Sequence, residues 1–168
     1  MKAIRVLSAL LLIPLLALFA ACGEGEDVFA IFRGAYRADV AGEMRGVAFG
    51  AVLEASAESD AGERTVTLTF YAPASLSGTV VTRIPDGRLS LAVGEVSVEG
   101  LSAEGFLPLL ELLPTSGAVQ KIELDGAGHS VVTGEGFSLT LLEDGTPIAA
   151  ANATVSATIV RFEMVDAP

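Results

Sequence analysis

Cys22 is the residue of this sequence with the clearest potential for covalent chemistry, because it is the only cysteine and it follows a secretory hydrophobic segment. Lys2 and Arg5 make the start of the chain basic, and positions 6–21 form an apolar run of 16 residues. Two alanines directly precede the cysteine. A basic start, an apolar middle and small residues at the cut are typical of a signal peptide. Cleavage at this place would make Cys22 the N-terminal residue.

The pattern around Cys22 resembles a bacterial lipoprotein signal, in which the cysteine sulfur receives a diacylglyceryl group before cleavage. Phe19 departs from the pattern, since such signals usually carry leucine at this position. A permanent transmembrane anchor is disfavoured because the run contains Pro14 and is shorter than the roughly 20 residues that span a bilayer. An ordinary signal cut near Ala21, with no role for the cysteine, is the other alternative. We predict that residues 1–21 are a lipoprotein signal peptide and that Cys22 is lipidated.

The rest of the chain has the size of one domain and is strongly acidic. Loss of Lys2 and Arg5 with the signal leaves 8 basic against 21 acidic residues, a net charge of −13. Such a surface repels nucleic acid, so we expect no nucleic-acid partner, and it also argues against membrane binding through a basic patch. Residues 22–28 are glycine-rich and acidic and predict a flexible tether. Residues 29–168 would then form a single domain without an internal disulfide.

Side chains suited to catalysis are few and scattered. His129 is the only histidine and lies in a glycine-rich segment typical of a turn, with no second histidine or cysteine to share a metal. Ser130 lacks the glycine-flanked context of a nucleophile, and Glu143-Asp144 is typical of a solvated turn. The triplet from Asn152 to Thr154 matches a glycosylation acceptor but means little in a bacterial lipoprotein. We expect no enzyme, no metal and no cofactor.

Alternation of polar and apolar residues predicts a domain made mainly of β-strands. The clearest case is positions 65–70, where threonines alternate with Val66, Leu68 and Phe70. A turn at Gly42-Glu43 would lead into a strand that contains Phe49 and Leu53. We predict about nine or ten strands joined by short turns, and therefore an antiparallel arrangement. The other predicted strands are segments 79–84 and 88–93 around the turn Pro85-Asp86-Gly87, then Val96 and Val98, and later 137–141 and 147–163.

A leucine-rich segment from Ser102 to Leu113 interrupts the strands. Ser102 followed by Glu104 is a helix-start signal, and Pro108 and Pro114 limit the helix to about Leu107–Leu113. Leucines cover most of its faces, which must therefore be buried. It would either fill the core or act as a lid over an apolar cavity on the concave side of the sheet. The predicted groove lining is Phe49, Leu53, Val66, Leu68, Phe70, Leu107 and Leu110.

These features together resemble the lipoprotein-carrier-like (Lol-type) fold, and uncharacterised clostridial lipoproteins of that fold in particular. The motif that carries the likeness is the step from Phe70 through Pro73 and Leu76 to Gly78, with the later segment 144–148 before a closing strand. The resemblance implies an open, strongly curved antiparallel sheet, a half-barrel, whose apolar concave side accepts acyl chains. A closed β-barrel or a β-sandwich is the alternative. The gating arginines of that family cannot be transferred to Arg33 or Arg37.

Two functions follow as hypotheses. In the first, a cell-envelope protein, anchored in the membrane by lipidated Cys22, binds a lipid or the acyl part of another lipoprotein in its apolar groove. In the second, the anchored protein has no small ligand and holds a protein partner of the envelope. Both place the domain outside the cytoplasm, at the outer membrane if the envelope has one.

Overall fold

The computed structural model of the protein describes residues 27–100 and 105–165. They form two short helices, α1 and α2, and eleven strands, β1 to β11. The helices are α1 (Ala30–Arg33) and α2 (Leu107–Leu110). The strands are β1 (Tyr36–Met44), β2 (Val47–Ala55), β3 (Val66–Ala72), β4 (Thr79–Arg83), β5 (Leu89–Val93), β6 (Val96–Glu99), β7 (Val119–Leu124), β8 (Ser130–Gly134), β9 (Phe137–Leu141), β10 (Pro147–Asn152) and β11 (Val155–Met164).

All eleven strands belong to one antiparallel sheet, in the order β6-β5-β4-β3-β2-β1-β11-β10-β9-β8-β7. The chain runs outward from the central β1 to the edge strand β6, crosses to the opposite edge at β7, and returns inward to β11. Strand β11 pairs with β1 over nearly its whole length, from Tyr36–Met164 to Met44–Val155. A closed barrel would pair β6 with β7, but these strands are the two ends of the order. The open antiparallel sheet is confirmed.

The connection between the two edges carries α2 across the concave face, and its contacts show that the sheet curves. Arg83 on β4 donates to Glu111 just after α2, while Asn152 on β10 donates to Pro108 inside it. Strands β4 and β10 are five steps apart in the sheet. In a flat sheet those steps would span about 24 Å, whereas three helical residues rise only about 4.5 Å. Both strands reach α2 because the sheet bends around it.

The alternation in the sequence correctly places the core. Val66, Leu68 and Phe70 are all at most 1% exposed, and the intervening Thr67 instead lies beside Thr82 of β4, with 3.4 Å between their hydroxyl oxygens. The N-terminal α1 adds two aromatic side chains to this core. Phe32 packs edge-on against Tyr36, and Phe29 packs edge-on against Phe137 of β9. The core therefore lies between the concave face and the two helices.

Three local predictions were wrong in detail. The turn predicted at Gly42-Glu43 is strand, and the chain instead turns at Arg45 and Gly46, both with positive φ. Gly42 serves a different purpose, because β11 approaches it so closely that a Cβ there would lie 2.6 Å from Ala157 Cα. The helix predicted to continue to Leu113 ends at Leu110. Its predicted start at Ser102 lies outside the described residues. Those residues form eleven strands, where about nine or ten were predicted.

Candidate functional site: the concave face

Five of the predicted groove residues form the floor of the concave face on β2 and β3. The register pairs Leu53 with Leu68 and Ala51 with Phe70, so the inward side chains of both strands share one surface. Leu53, Val66 and Leu68 are fully buried, and Phe49 and Phe70 are 6% and 1% exposed. The structure thus brings these five residues together in the buried core. Their contacts are with other core side chains.

The side chains above this floor come from α2 and the residues that flank it. Leu110 is fully buried, while Leu107 is partly buried at the margin of the core. Phe106 extends the cover, with its ring centroid 5.9 Å from that of Phe70. The remaining buried leucines of the segment are Leu109, Leu112 and Leu113. In this conformation, therefore, the predicted groove is filled by the protein's own leucines.

Polar contacts from distant strands hold α2 in place. Asn152 Nδ2 donates to the Pro108 carbonyl at 2.7 Å from the β10 side. On the β4 side, Arg83 Nη1 lies 2.8 Å from Glu111 Oε1, an ion pair that is partly solvent-exposed. Asn152 belongs to the triplet that looked like a glycosylation acceptor in the sequence. In the structure the same side chain donates a hydrogen bond to the backbone of α2.

Arg64 makes the most deeply buried of these ties, and sequence analysis missed it. It is 8% exposed, its Nη1 donates to the Phe32 carbonyl at 2.6 Å and its Nη2 donates to the Leu113 carbonyl at 3.2 Å. One guanidinium therefore joins the end of α1 to the chain after α2. The sequence contained a signal for its burial. Arg64 is two positions before Val66, and alternate side chains of an extended segment point to the same face, here the inward one.

Tyr36 lies directly beneath this arginine. The Arg64 guanidinium carbon is 5.5 Å from the centroid of the Tyr36 ring, a cation–π arrangement. Burial raises the pKa of Tyr36 above its usual range, and the positive charge of Arg64 opposes that rise in part. Within the described part of the chain, the Tyr36 hydroxyl is buried without a hydrogen-bond partner. The phenol therefore stays neutral through the physiological pH range.

An open apolar cavity lies beside α1, on the part of the concave face that α2 leaves uncovered. Its volume is about 600 Å³, within the range of small-molecule sites. Val132 and Leu141, which also belong to the buried core, form its inner wall, and Asp27, Glu143 and Asp144 lie at its rim. The other apolar lining residues are Val28, Ala30, Ile31, Ile122 and Leu142.

A second cavity of about 530 Å³ shares Val28 and Ile122 with the first and adds Phe29 and Val119. The two spaces therefore flank the same edge of the concave face, where β7 is the outer wall. Neither space was foreseen from the sequence, because β7 was not recognised as a strand.

The open end of the half-barrel near Arg64 holds a polar cleft of about 550 Å³. Glu58, Glu63 and Glu135 line it together with Arg64 and Arg83, and both arginines already have partners. Among residues 27–100 and 105–165, no group of three or more His, Cys, Asp or Glu side chains is arranged to hold a metal ion. The structure therefore offers no observation in favour of metal chemistry in this cleft.

His129, the only histidine of the sequence, does not line any of the cavities described above. His129 Nδ1 is 3.0 Å from Asp125 Oδ2, in the turn between β7 and β8. Asp125 also accepts backbone hydrogen bonds from His129 and Ala127, which lower the pKa of its carboxyl group. The pair thus shapes a turn. Cys22 lies outside the described residues, whose helices include none long and apolar enough to cross a membrane.

Comparison with known proteins identifies shared fold but no family. No family model matches the sequence, and no curated protein sequence matches it. An uncharacterised conserved protein from Thermus thermophilus aligns with a TM-score of 0.52 and 14% identity, covering 85% of this chain and 86% of the other. MucB aligns with a TM-score of 0.53 and 16% identity over 84% of this chain. The chain shares the fold of both proteins.

The alignment with MucB covers 57% of that protein, so this chain corresponds to little more than half of it. A LolA superfamily protein from Nitrosomonas europaea is also among the similar structures, with a TM-score of 0.47 and 10% identity over 85% of this chain and 92% of the other.

Proposed function

We propose that this protein is a non-enzymatic, lipid-anchored protein of the cell envelope that binds an acyl chain on the concave face of its sheet. The proposal rests on one observation: the concave face continues from the buried core into the open cavity. Val132 and Leu141 belong both to the buried core and to the wall of the open cavity of about 600 Å³. An acyl chain can therefore contact the core surface while α2 stays in place.

The rim of the cavity indicates which acyl compounds fit. Asp27, Glu143 and Asp144 place three carboxyl groups at its opening, and hydrogen bonds from backbone N–H groups lower the pKa of Asp27 and Asp144. Asp27 and Asp144 are therefore ionised at neutral pH. A free fatty acid would bring a further negative charge to this rim, which is unfavourable. The uncharged diacylglyceryl group of a lipoprotein, or a neutral lipid, is the better ligand.

The predicted groove under α2 would be the deeper part of the same site. Phe49, Leu53, Val66, Leu68 and Phe70 become accessible only if α2, with Leu107 and Leu110, moves away. Such movement breaks the hydrogen bonds of Arg64 and Asn152 to backbone carbonyls. We propose that a short or single chain uses the open cavity, and that a larger ligand also displaces α2.

Anchoring through Cys22 is compatible with the position of this cavity. Asp27, the first described residue, lies at the rim and is five positions after Cys22. Five residues span at most about 17 Å when extended, so the cavity would stay close to the membrane surface. This distance would favour exchange of an acyl chain between membrane and protein.

Native mass spectrometry and a fluorescent acyl probe test the proposal. Leu142 lines the cavity, and Leu142→Glu should weaken probe binding at least about tenfold because the bound acyl chain would have to desolvate the new charge. Val160→Glu is the matched control, since Val160 is 65% exposed and the neighbouring Ile159 is the buried residue of that strand. It should bind the probe as the wild type does.

Two outcomes would count against acyl binding. Purified wild-type protein without co-purified lipid, together with equal probe binding by both variants, would overturn the acyl-binding proposal. A stoichiometric envelope protein recovered by cross-linking in cells, again without lipid, would favour the scaffolding function.

A further inference from the structure

Strand β7 is an edge strand that carries aliphatic side chains and is exposed along its whole length. All six of its residues are exposed, and Ile122 and Leu124 reach 58% and 73%. Strand β8 pairs with one side of β7, and no other strand in the described part of the chain pairs with its outer side. Such an edge is a template for a further strand, which natural proteins usually protect.

The backbone of β7 presents hydrogen-bonding groups to this outer side. The N–H of Asp125, just after the strand, donates to the His129 carbonyl and therefore points toward β8. Backbone groups alternate in direction along a strand. The N–H and C=O groups of Ile122 and Leu124 consequently point away from β8.

The charges on β7 are arranged so that the strand complements itself. Lys121 and Glu123 share the face opposite to Ile122, with 2.7 Å between Lys121 Nζ and Glu123 Oε1. If two copies of β7 pair antiparallel about Ile122, each Lys121 lies opposite Glu123 of the second copy. Opposite charges at facing positions stabilise a strand pair, and like charges destabilise it.

The neighbouring registers place like charges at the centre of the strand pair. A shift by two residues, which keeps every side chain on its face, sets Lys121 against Lys121 of the second copy or Glu123 against its own equivalent. The other edge of the sheet lacks this property, because β6 (Val96–Glu99) contains no basic residue to oppose Glu99. Of the two edge strands in the described part of the chain, β7 alone combines exposed aliphatic residues with a self-complementary charge pair.

We propose that two copies of this chain associate through β7, antiparallel and centred on Ile122, so that the two sheets become one. The twofold axis keeps both concave faces on the same side, and the Ile122 side chains of the two copies meet there. Ile122 is a wall of both open cavities, so the second copy extends the cavity across the interface. The dimer itself is independent of ligand, whereas a shared cavity rests on the proposed function.

Disulfide trapping tests the register. Facing hydrogen-bonded residues of antiparallel strands have Cα atoms about 5.5 Å apart, which suits a disulfide. Ile122→Cys in the full chain, purified in detergent and mildly oxidised, should therefore give a covalent dimer. Leu124→Cys is the matched control, because the two Leu124 Cα atoms would be about 14 Å apart in this register. The wild type, which lacks the introduced cysteine, is the control for any covalent dimer formed through Cys22.

Charge variants in the Ile122→Cys background test the complementarity. Lys121→Glu should reduce the yield of covalent dimer at least about tenfold, and added Glu123→Lys should restore it by reversing both charges. Circular dichroism verifies that each variant is folded. Equal yields from Ile122→Cys and Leu124→Cys, or a double charge variant no better than Lys121→Glu, would overturn the proposal. Neither charged residue lines the cavities, so acyl binding can fail without affecting this result.

Discussion

Asn152 Nδ2 donates a hydrogen bond of 2.7 Å to the carbonyl of Pro108, and this contact ties β10 to α2 across the concave face. The same side chain closes the turn between β10 and β11, because Asn152 Oδ1 accepts the backbone N–H groups of Thr154 at 3.1 Å and Val155 at 3.0 Å. The Asn152 side chain therefore stabilises the turn with its Oδ1 atom and holds α2 in position with its Nδ2 atom.

The two uses can be separated by mutation. Asn152→Asp keeps an acceptor for the turn but replaces the donor with a carboxylate oxygen facing the Pro108 carbonyl. We expect a loss of about 1–2 kcal/mol in the free energy of unfolding, measured by urea titration at neutral pH. Asn152→Ala removes both contacts and should cost more. Equal stability of Asn152→Asp and the wild type would show that the tie to α2 contributes nothing.

Arg64 should contribute more to stability than any exposed arginine of the domain. Arg64→Met retains much of the apolar length but leaves the carbonyls of Phe32 and Leu113 without their donor. The expected loss is about 2–3 kcal/mol, since hydrogen bonds from charged groups exceed neutral ones. Arg37→Met is the control, because the Arg37–Glu54 pair is about half exposed on both sides and such pairs contribute below about 1 kcal/mol. Similar losses for both variants would contradict the role of Arg64.

Much of this architecture could be predicted from the sequence, and the exceptions have physical causes. Strict alternation around Val66 and Leu68 reports burial on one face, so the strand and its orientation followed directly. Strand β7 was not recognised, because its alternation covers only Lys121 to Leu124 and a bulge between Val119 and Lys121 breaks the period of two before it. Long-range contacts such as that between Asn152 and Pro108 depend on curvature, which local patterns do not encode.

Gly42 is a second residue whose role depends on long-range packing: the sequence predicted a turn there, but the glycine is needed because β11 packs closely against it. A methyl group on Gly42 would overlap the backbone of Ser156 and Ala157. Gly42→Ala should lower the free energy of unfolding by about 1–3 kcal/mol, the usual cost of overpacking. Gly126→Ala is the matched control, since a Cβ there has no atom within 4 Å and the residue does not need positive φ. A loss of the same size at both positions would contradict the packing explanation.

Tyr71 should titrate at unusually alkaline pH. Its hydroxyl donates to Asp39 Oδ1 at 2.7 Å, and this hydrogen bond, aided by burial and by the negative charge of Asp39, raises the pKa of Tyr71 to about 12. Because the pKa is raised on folding, the associated stability is complete below about pH 10 and is lost as the pH rises from 10 toward 12. Asp39→Asn should return the pKa of Tyr71 toward its usual value and weaken this dependence.

Tyrosinate absorbance can measure this titration cleanly, since the chain contains two tyrosines and no tryptophan. Burial also raises the pKa of the other tyrosine, Tyr36, so the wild type should show little tyrosinate at pH 10 in its folded state. A single titration step near pH 10 for both residues, without unfolding, would be incompatible with the Tyr71–Asp39 hydrogen bond.

Cys22 provides the decisive test of membrane anchoring. Attachment of a diacylglyceryl group needs the cysteine sulfur, so Cys22→Ser should abolish acylation and block lipoprotein-type cleavage. We expect the variant to persist as a longer precursor or to be cut elsewhere and released, as followed by gel mobility and radiolabelled fatty acid. The folded domain should be unaffected, because its described core begins at Phe29 and no disulfide depends on this residue. Unlabelled wild type, or a serine variant that is membrane-bound at mature size, would refute the prediction of a lipid anchor.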